Sequence, residues 1–185
     1  MSRLPLIILC AAVCAFPAFS AAPSAPAVGK IFDRDLSTIE EELVPLAEAM
    51  PADQYKFAPA HGEFSGVRTF GQQVSHVAAV IYEVSASVLG EKNPSEPGQN
   101  ENGPASLKTK EDIVKYLKEA FAYAHKAMAS LTADNLTSMV QSPFGKNKVP
   151  RVSMATVAAW HSFDHYGQMV VYARMNGIIP PASRR

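Results

Sequence analysis

The sequence predicts an all-α protein built as a four-helix bundle. Three observations predict it. Apolar residues recur at three- and four-residue spacing in four separate stretches of the chain. Capping residues, glycine or proline bound those stretches. No segment shows the sustained apolar–polar alternation of a half-buried strand. The chain has 185 residues, 48% of them hydrophobic, which suits one domain with a core of its own.

The first twenty residues stand apart. Arg3 is their only charge, residues 4–19 are apolar and alanine-rich, and Ala18-Phe19-Ser20 offers small residues where a signal peptidase reads. Residues 1–20 are therefore expected to be a cleavable signal peptide, which makes the protein exported, periplasmic or secreted. The run is short and broken by Pro17, so no stable membrane span is expected after processing. Cys10 follows Leu9 and Cys14 follows Val13, neither of which is the small residue that a lipoprotein signal needs. Both cysteines leave with the signal, so any metal must be held by His, Asp, Glu or water. Residues 21–31, rich in Ala, Pro and Ser, read as a flexible leader before a helical domain over residues 32–181.

Asp33 or Asp35 can cap the first helix, which runs to about Met50. Leu36, Ile39, Leu43, Leu46 and Ala47 form its apolar side, and Pro45 should kink it. Residues 51–59 then make an ordered connection whose Tyr55 and Phe57 plug one end of the core, and His61 follows as a surface histidine. The second helix spans from near Thr69 to near Gly90, with Val74, Val77, Ala78, Ile81, Val84 and Val88 inward. Thr69, Gln72, Gln73, Val80 and Glu83 share the face of His76, a polar strip that suits either a cleft wall or plain exposure. Residues 91–108, with three prolines and two glycines, form a long surface loop, either mobile or a lid. Thr109 and Asp112 make a variant capping box for the third helix, on which His125 packs at the core edge. Residues 134–140 are expected to form a short helix, followed by a turn at Ser142-Pro143-Phe144-Gly145. Ser153 caps the fourth helix, Gly177 ends it and Pro180-Pro181 prevent continuation. His161, Asp164, His165, Gln168 and Tyr172 lie together on that helix, with Phe163, Tyr166 and Val170 roughly opposite. A helix apolar on both sides is buried on both sides, which predicts a homodimer.

The 17 basic and 17 acidic residues balance and form no basic face, so nucleic acid is excluded as a partner. His161 and His165 are four apart, so in a helix they stack on one face and can share one metal ion. The zinc-protease motif is absent, because Ser162 stands where its glutamate is needed, and Asp164 before the second histidine gives only a faint echo of the inverted motif. No histidine has a glutamate three positions earlier, which excludes the di-iron carboxylate signature. Haem attachment and a serine nucleophile elbow are likewise missing. On these residues alone the pair is either part of a metal site with a third ligand elsewhere or two unrelated histidines, one packed and one wet.

The chain from about Phe32 to Pro181 resembles the DinB-like proteins, small four-helix metalloproteins. The resemblance lies in Met50-Pro51 through Tyr55-Lys56-Phe57, in the run from Val67-Arg68-Thr69 to His76-Val77-Ala78, and in His161 through Pro180-Pro181. One histidine on helix two and His-x-x-x-His on helix four is its specific part. It implies a metal site at His76, His161 and His165, with the secretory leader as a departure from the family's cytosolic members. Three neutral imidazoles leave positions open for water or substrate, as in a reactive metal site. Zinc suits that set, and nickel or iron fits as well. Such an ion can acidify water or polarise a substrate atom. Asp164 and Gln168 are the candidates for catalytic proton handling or for orienting a ligand, while Glu83 reads as an ordinary surface group. Two function classes follow: a metal-dependent enzyme of transferase or hydrolase type acting on an unknown small molecule, or a non-catalytic metal-binding or stress-linked bundle braced by its ion.

Overall fold

The computed structural model of the chain describes residues 27–184. The expected signal peptide and most of the expected leader lie outside the described residues. Four helices dominate: α1 (Val28–Ala49), α2 (Phe70–Leu89), α3 (Lys110–Ala129) and α4 (Arg151–Met175). α1 and α2 occupy opposite corners of the bundle and are bridged by α3 on one side and α4 on the other. The connections from α1 to α2 and from α3 to α4 therefore cross diagonals. The core runs through the middle, with Leu36, Leu43, Phe70, Ile81, Leu117, Phe121 and Met169 fully buried.

α1 begins at Val28, so residues 28–31 are helical and the expected leader ends earlier than its composition suggests. Neither Asp33 nor Asp35 caps it, because both lie inside the helix, and Ala27 at the cap position makes no side-chain bond. Packing sets this start instead. Gly29 is buried against the end of α3, where a β-carbon would stand 2.6 Å from the Met128 carbonyl oxygen. Pro45 sits within the helix. After it, a 3₁₀ turn (Ala52–Lys56) carries Tyr55 into the core, with its hydroxyl donating to the Ala47 carbonyl at 2.7 Å. Tyr55 meets the edge of Phe70, and Phe57 that of Tyr172, so the expected aromatic plug is present.

α2 and α3 start and stop where their capping chemistry places them. Thr69 and Gln72 satisfy each other's backbone N–H groups at the start of α2, and Gly90, at φ 70°, closes its end. Thr109 and Asp112 do the same for α3. Between them the 91–108 segment folds as an ordered strap over the first half of α2. Pro97 accepts from the Gly103 N–H at 2.8 Å, and a β-carbon on Gly98 would fall 1.8 Å from the Gly103 oxygen. Only glycine at position 98 permits that closure.

Two expectations fail after α3. Residues 134–140 make turns that lead into a strand, not a helix, and β1 (Met139–Gln141) pairs antiparallel with β2 (Lys148–Pro150), Val140 opposite Val149. α4 starts at Arg151, two residues before Ser153. The hairpin explains both. Ser138 and Leu136 carbonyls accept from the N–H groups of Arg151 and Val152, so the first turn of α4 needs no serine cap. The Arg151 side chain adds bonds to the Val88 carbonyl and Ser138 hydroxyl. α4 ends as expected, with Gly177 at φ 73°. Its outer side is not uniformly buried: Tyr166 and Val170 pack against the core edge, whereas Phe163 and Trp160 are exposed. Among the described residues no helix is long and apolar enough to cross a membrane.

Candidate metal centre

Three imidazoles from two helices converge between α2 and α4. His76 comes from α2, and one turn of α4 presents His161 and His165 on a common side. Their ring centroids lie 5.0 Å (76–161), 4.7 Å (76–165) and 4.5 Å (161–165) apart. One candidate ligand nitrogen from each falls within 4.8 Å of the other two, and no other group of three His, Cys, Asp or Glu side chains does so among the described residues.

Hydrogen bonds fix the tautomers of two of them. His76 Nδ1 lies 3.0 Å from the Glu101 carbonyl oxygen, which only accepts, so Nδ1 carries the proton and the Nε2 lone pair is free. His165 Nδ1 donates to Gln73 Oε1 at 2.5 Å, with the same result. The bond continues outward. Gln73 Nε2 donates to Gln168 Oε1 at 3.1 Å, and Gln168 Nε2 donates to Asp164 Oδ2 at 3.0 Å. This directional chain runs from a buried imidazole to an exposed carboxylate, and each amide can sit in it only one way round. Outer partners of this kind fix the ring orientation of a metal-ligating histidine. His161 Nδ1 is buried with no partner at all. A buried nitrogen left without a partner is costly and marks a place where the chain's own bonds run out.

Electrostatics keep the cluster neutral. Burial, then the neighbouring His165 and His76, push the pKa of His161 down to about 3. Burial, then His76 and Arg68, push His165 down to about 4. Burial lowers His76 as well, against the pull of its Glu101 carbonyl bond. Neutral imidazole is the form that ligates. Three neutral nitrogen donors, two with a fixed free lone pair and one with an orphaned nitrogen, fit a divalent transition metal.

The site is not sealed. A cleft of about 560 Å³ reaches His165 past Gln73 and Gln168, with Arg68, Asn100 and Asn102 on its other wall. The strap meets the site at Glu101, whose φ of 56°, like the 55° of Asn100, lies in the left-handed region. Such a conformation outside glycine costs of order 1 kcal/mol or more and clusters at functional positions.

Asp164 and Gln168 both stand at the site, but through the amide chain and not beside the imidazole nitrogens left free. Gln73 is the residue that sequence reasoning undervalued. It was one member of a polar strip, yet it is 3% exposed and holds His165 directly. Its signal was position, one turn before His76 on the same face. Glu83 corrects another expectation. One of its carboxylate oxygens is buried and unpartnered, and burial, then the nearby Glu101, raises its pKa to about 7. His61 is exposed, as expected. His125 lies apart from the cluster, between Asp33 and Glu40 of α1, at 2.6 Å from one carboxylate and 2.8 Å from the other. Burial pulls its pKa down, but those two carboxylates more than offset this and hold it above the ordinary value.

Comparison with known proteins completes the picture. A family model described as the DinB superfamily matches residues 35–169. Solved structures share the fold at low identity. A DinB-like protein from Bacillus cereus ATCC 10987 is 21% identical, with a TM-score of 0.64 over 82% of this chain and 95% of that one. YfiT from Bacillus subtilis, described as a probable metal-dependent hydrolase with an unusual four-helix bundle topology, is 16% identical, with a TM-score of 0.59 over 88% and 97%. A mycothiol-dependent maleylpyruvate isomerase is 15% identical, with a TM-score of 0.57 over 76% of this chain and 60% of that one. No curated protein matches significantly.

Proposed function

The chain belongs to the DinB superfamily, and from that premise we propose that it is an exported, metal-dependent enzyme of transferase or hydrolase type that acts on a small molecule. The observation that carries this reading is the set of three neutral imidazoles, one of which, His165, lines an open cleft. Two relatives in fold are named for metal-dependent hydrolysis and thiol-dependent isomerisation, which supports chemistry at the cluster. His76, His161 and His165 would hold a divalent ion, zinc by donor chemistry, with nickel or iron as alternatives. Once bound, that ion supplies Lewis-acid polarisation of a substrate atom. The chain's own residues do the rest. Gln73 holds His165 in one tautomer, Gln168 fixes the direction of Gln73, and Asp164 anchors the end of the chain. Asp164 and Gln168 are thus positioning residues. The cleft admits substrate from the His165 side.

A second reading is favoured by the burial of His76 and His165, 4% and 8% exposed: the ion is a brace and no reaction occurs. Elemental analysis of the purified protein beside His76→Ala tests the common part, and equal metal content in both would remove His76 from the site. Loss of turnover in His161→Ala with helicity intact then favours the enzyme. A chelator that melts the protein, with no detectable reaction, favours the brace. We also propose that the chain forms a homodimer, in support of which Trp160 and Phe163 are exposed on α4. A monomeric mass by light scattering at micromolar protein would rule the dimer out.

A further inference from the structure

Arg68 is a cation that the fold leaves uncompensated. It lies just before α2 and is half-buried. Its Nε–H donates to Asn102 Oδ1 at 2.9 Å and its Nη2 to the Asn100 carbonyl at 2.9 Å. Both acceptors are neutral. Among the described residues no carboxylate comes within ion-pair distance of it. The remaining three guanidinium N–H groups have no partner among the described residues. Its backbone is pinned as well, with the carbonyl accepting from the Tyr172 hydroxyl at 3.2 Å. A partly buried charge is ordinarily paired. This one is instead held rigid by neutral groups on the wall of the cleft that His165 also lines. The planar guanidinium fork matches a carboxylate or phosphate better than any neutral group. The strained Asn100-Glu101 pair ties the two sides together, since the Asn100 carbonyl holds Arg68 and the Glu101 carbonyl holds His76.

We propose that the cleft takes a small molecule bearing a carboxylate or similar oxyanion, that Arg68 binds that end, and that the rest of the molecule faces the three histidines. The orientation of the substrate rests on the metal-centre reading above; the anion contact does not. The cleft volume, about 560 Å³, suits a compact ligand.

The test is isothermal titration of the full protein, zinc-loaded and chelator-treated, with malonate and with its neutral counterpart malonamide. Wild type should bind malonate and not malonamide in both forms. Arg68→Gln should weaken malonate binding about tenfold to a hundredfold in both forms at unchanged zinc content, as loss of a charge-assisted bond implies. Asn102→Ala, which keeps the cation and removes its tether, should lose less. Undiminished malonate affinity in Arg68→Gln overturns the proposal, and so does equal binding of malonamide or no binding in either form. If Arg68→Gln does not fold, Arg68→Met replaces it, and affinity equal to wild type there overturns the proposal in its turn. A wild type that binds malonate through Arg68 but takes up no zinc sinks the metal reading alone. One that takes up zinc and ignores malonate sinks this inference alone.

Discussion

The three cluster histidines and His125 have opposite surroundings and differ in charge. Between α2 and α4, three imidazoles face one another in a buried space, and desolvation, joined at His161 and His165 by repulsion from neighbouring imidazoles, holds them neutral. Between α1 and α3, one imidazole faces two carboxylates, and Asp33 and Glu40 hold it protonated above its ordinary pKa. The residue type is the same. The first environment prepares a lone pair for a cation, whereas the second makes the imidazole itself the cation. Neighbouring charge and burial decide whether a histidine is a ligand or an ion-pair member.

The sharpest way to break the comparison is to remove one imidazole from each place. His161→Ala should abolish stoichiometric binding of zinc by the purified protein, while His125→Ala should leave metal content unchanged; elemental analysis reads both. Equal loss in the two variants would end the distinction. Next in size is Gln73→Leu, which removes the acceptor of the His165 proton without touching a ligand. Metal affinity should fall about tenfold to a hundredfold, the usual cost of deleting such a partner, as read by competition with a chromophoric chelator.

The raised pKa of His125 means that its contribution is complete below about 6.5, the unfolded value, and fades as pH rises through the higher folded value. For His161 and His165 the folded values of about 3 and 4 lie below the unfolded one. In the metal-free protein they subtract stability as pH falls from about 6.5 towards those values. Denaturation midpoints of metal-free wild type and His125→Gln should therefore converge as pH rises above neutrality. The unfolding free energies should differ by about 1 kcal/mol or less near pH 6, since the pair is half-exposed. A constant gap across that range would show that His125 acts through packing alone. The smallest effect belongs to Glu83→Gln. The carboxyl has a folded pKa of about 7, so the buried charge that the variant removes exists only above that pH. Because the unfolded carboxyl ionises from about 4.3 upward, the variant should raise the melting temperature at pH 8, raise it less near pH 5, and leave it unchanged only below about pH 4.

Much of the architecture was legible because it is written locally. Thr69 with Gln72, Thr109 with Asp112, and the glycines at 90 and 177 are short-range signals, and the elements they bound fall where those signals lie. Elements set by tertiary contact were not legible. α1 starts at Val28 because Gly29 fits against the end of α3, and α4 starts at Arg151 because a hairpin supplies its acceptors. The hairpin strands are three residues each, too short for alternation to register against a helical reading. At the site, the four-residue spacing placed His161 beside His165, and the family resemblance supplied His76. Neither could reveal that a glutamine on α2 holds an imidazole on α4, or that the strap delivers a backbone oxygen to His76.

The diagonal connections carry a consequence for how the protein comes into being. Gln73 and His165 are bonded but stand 92 positions apart, one in the second helix made and the other in the last. A chain emerging from its N-terminus presents a single cluster imidazole while three helices are already complete. The pocket for a cation exists only once α4 has closed the remaining corner. Any ion that the cluster takes up would then be captured late, after the other three helices have formed.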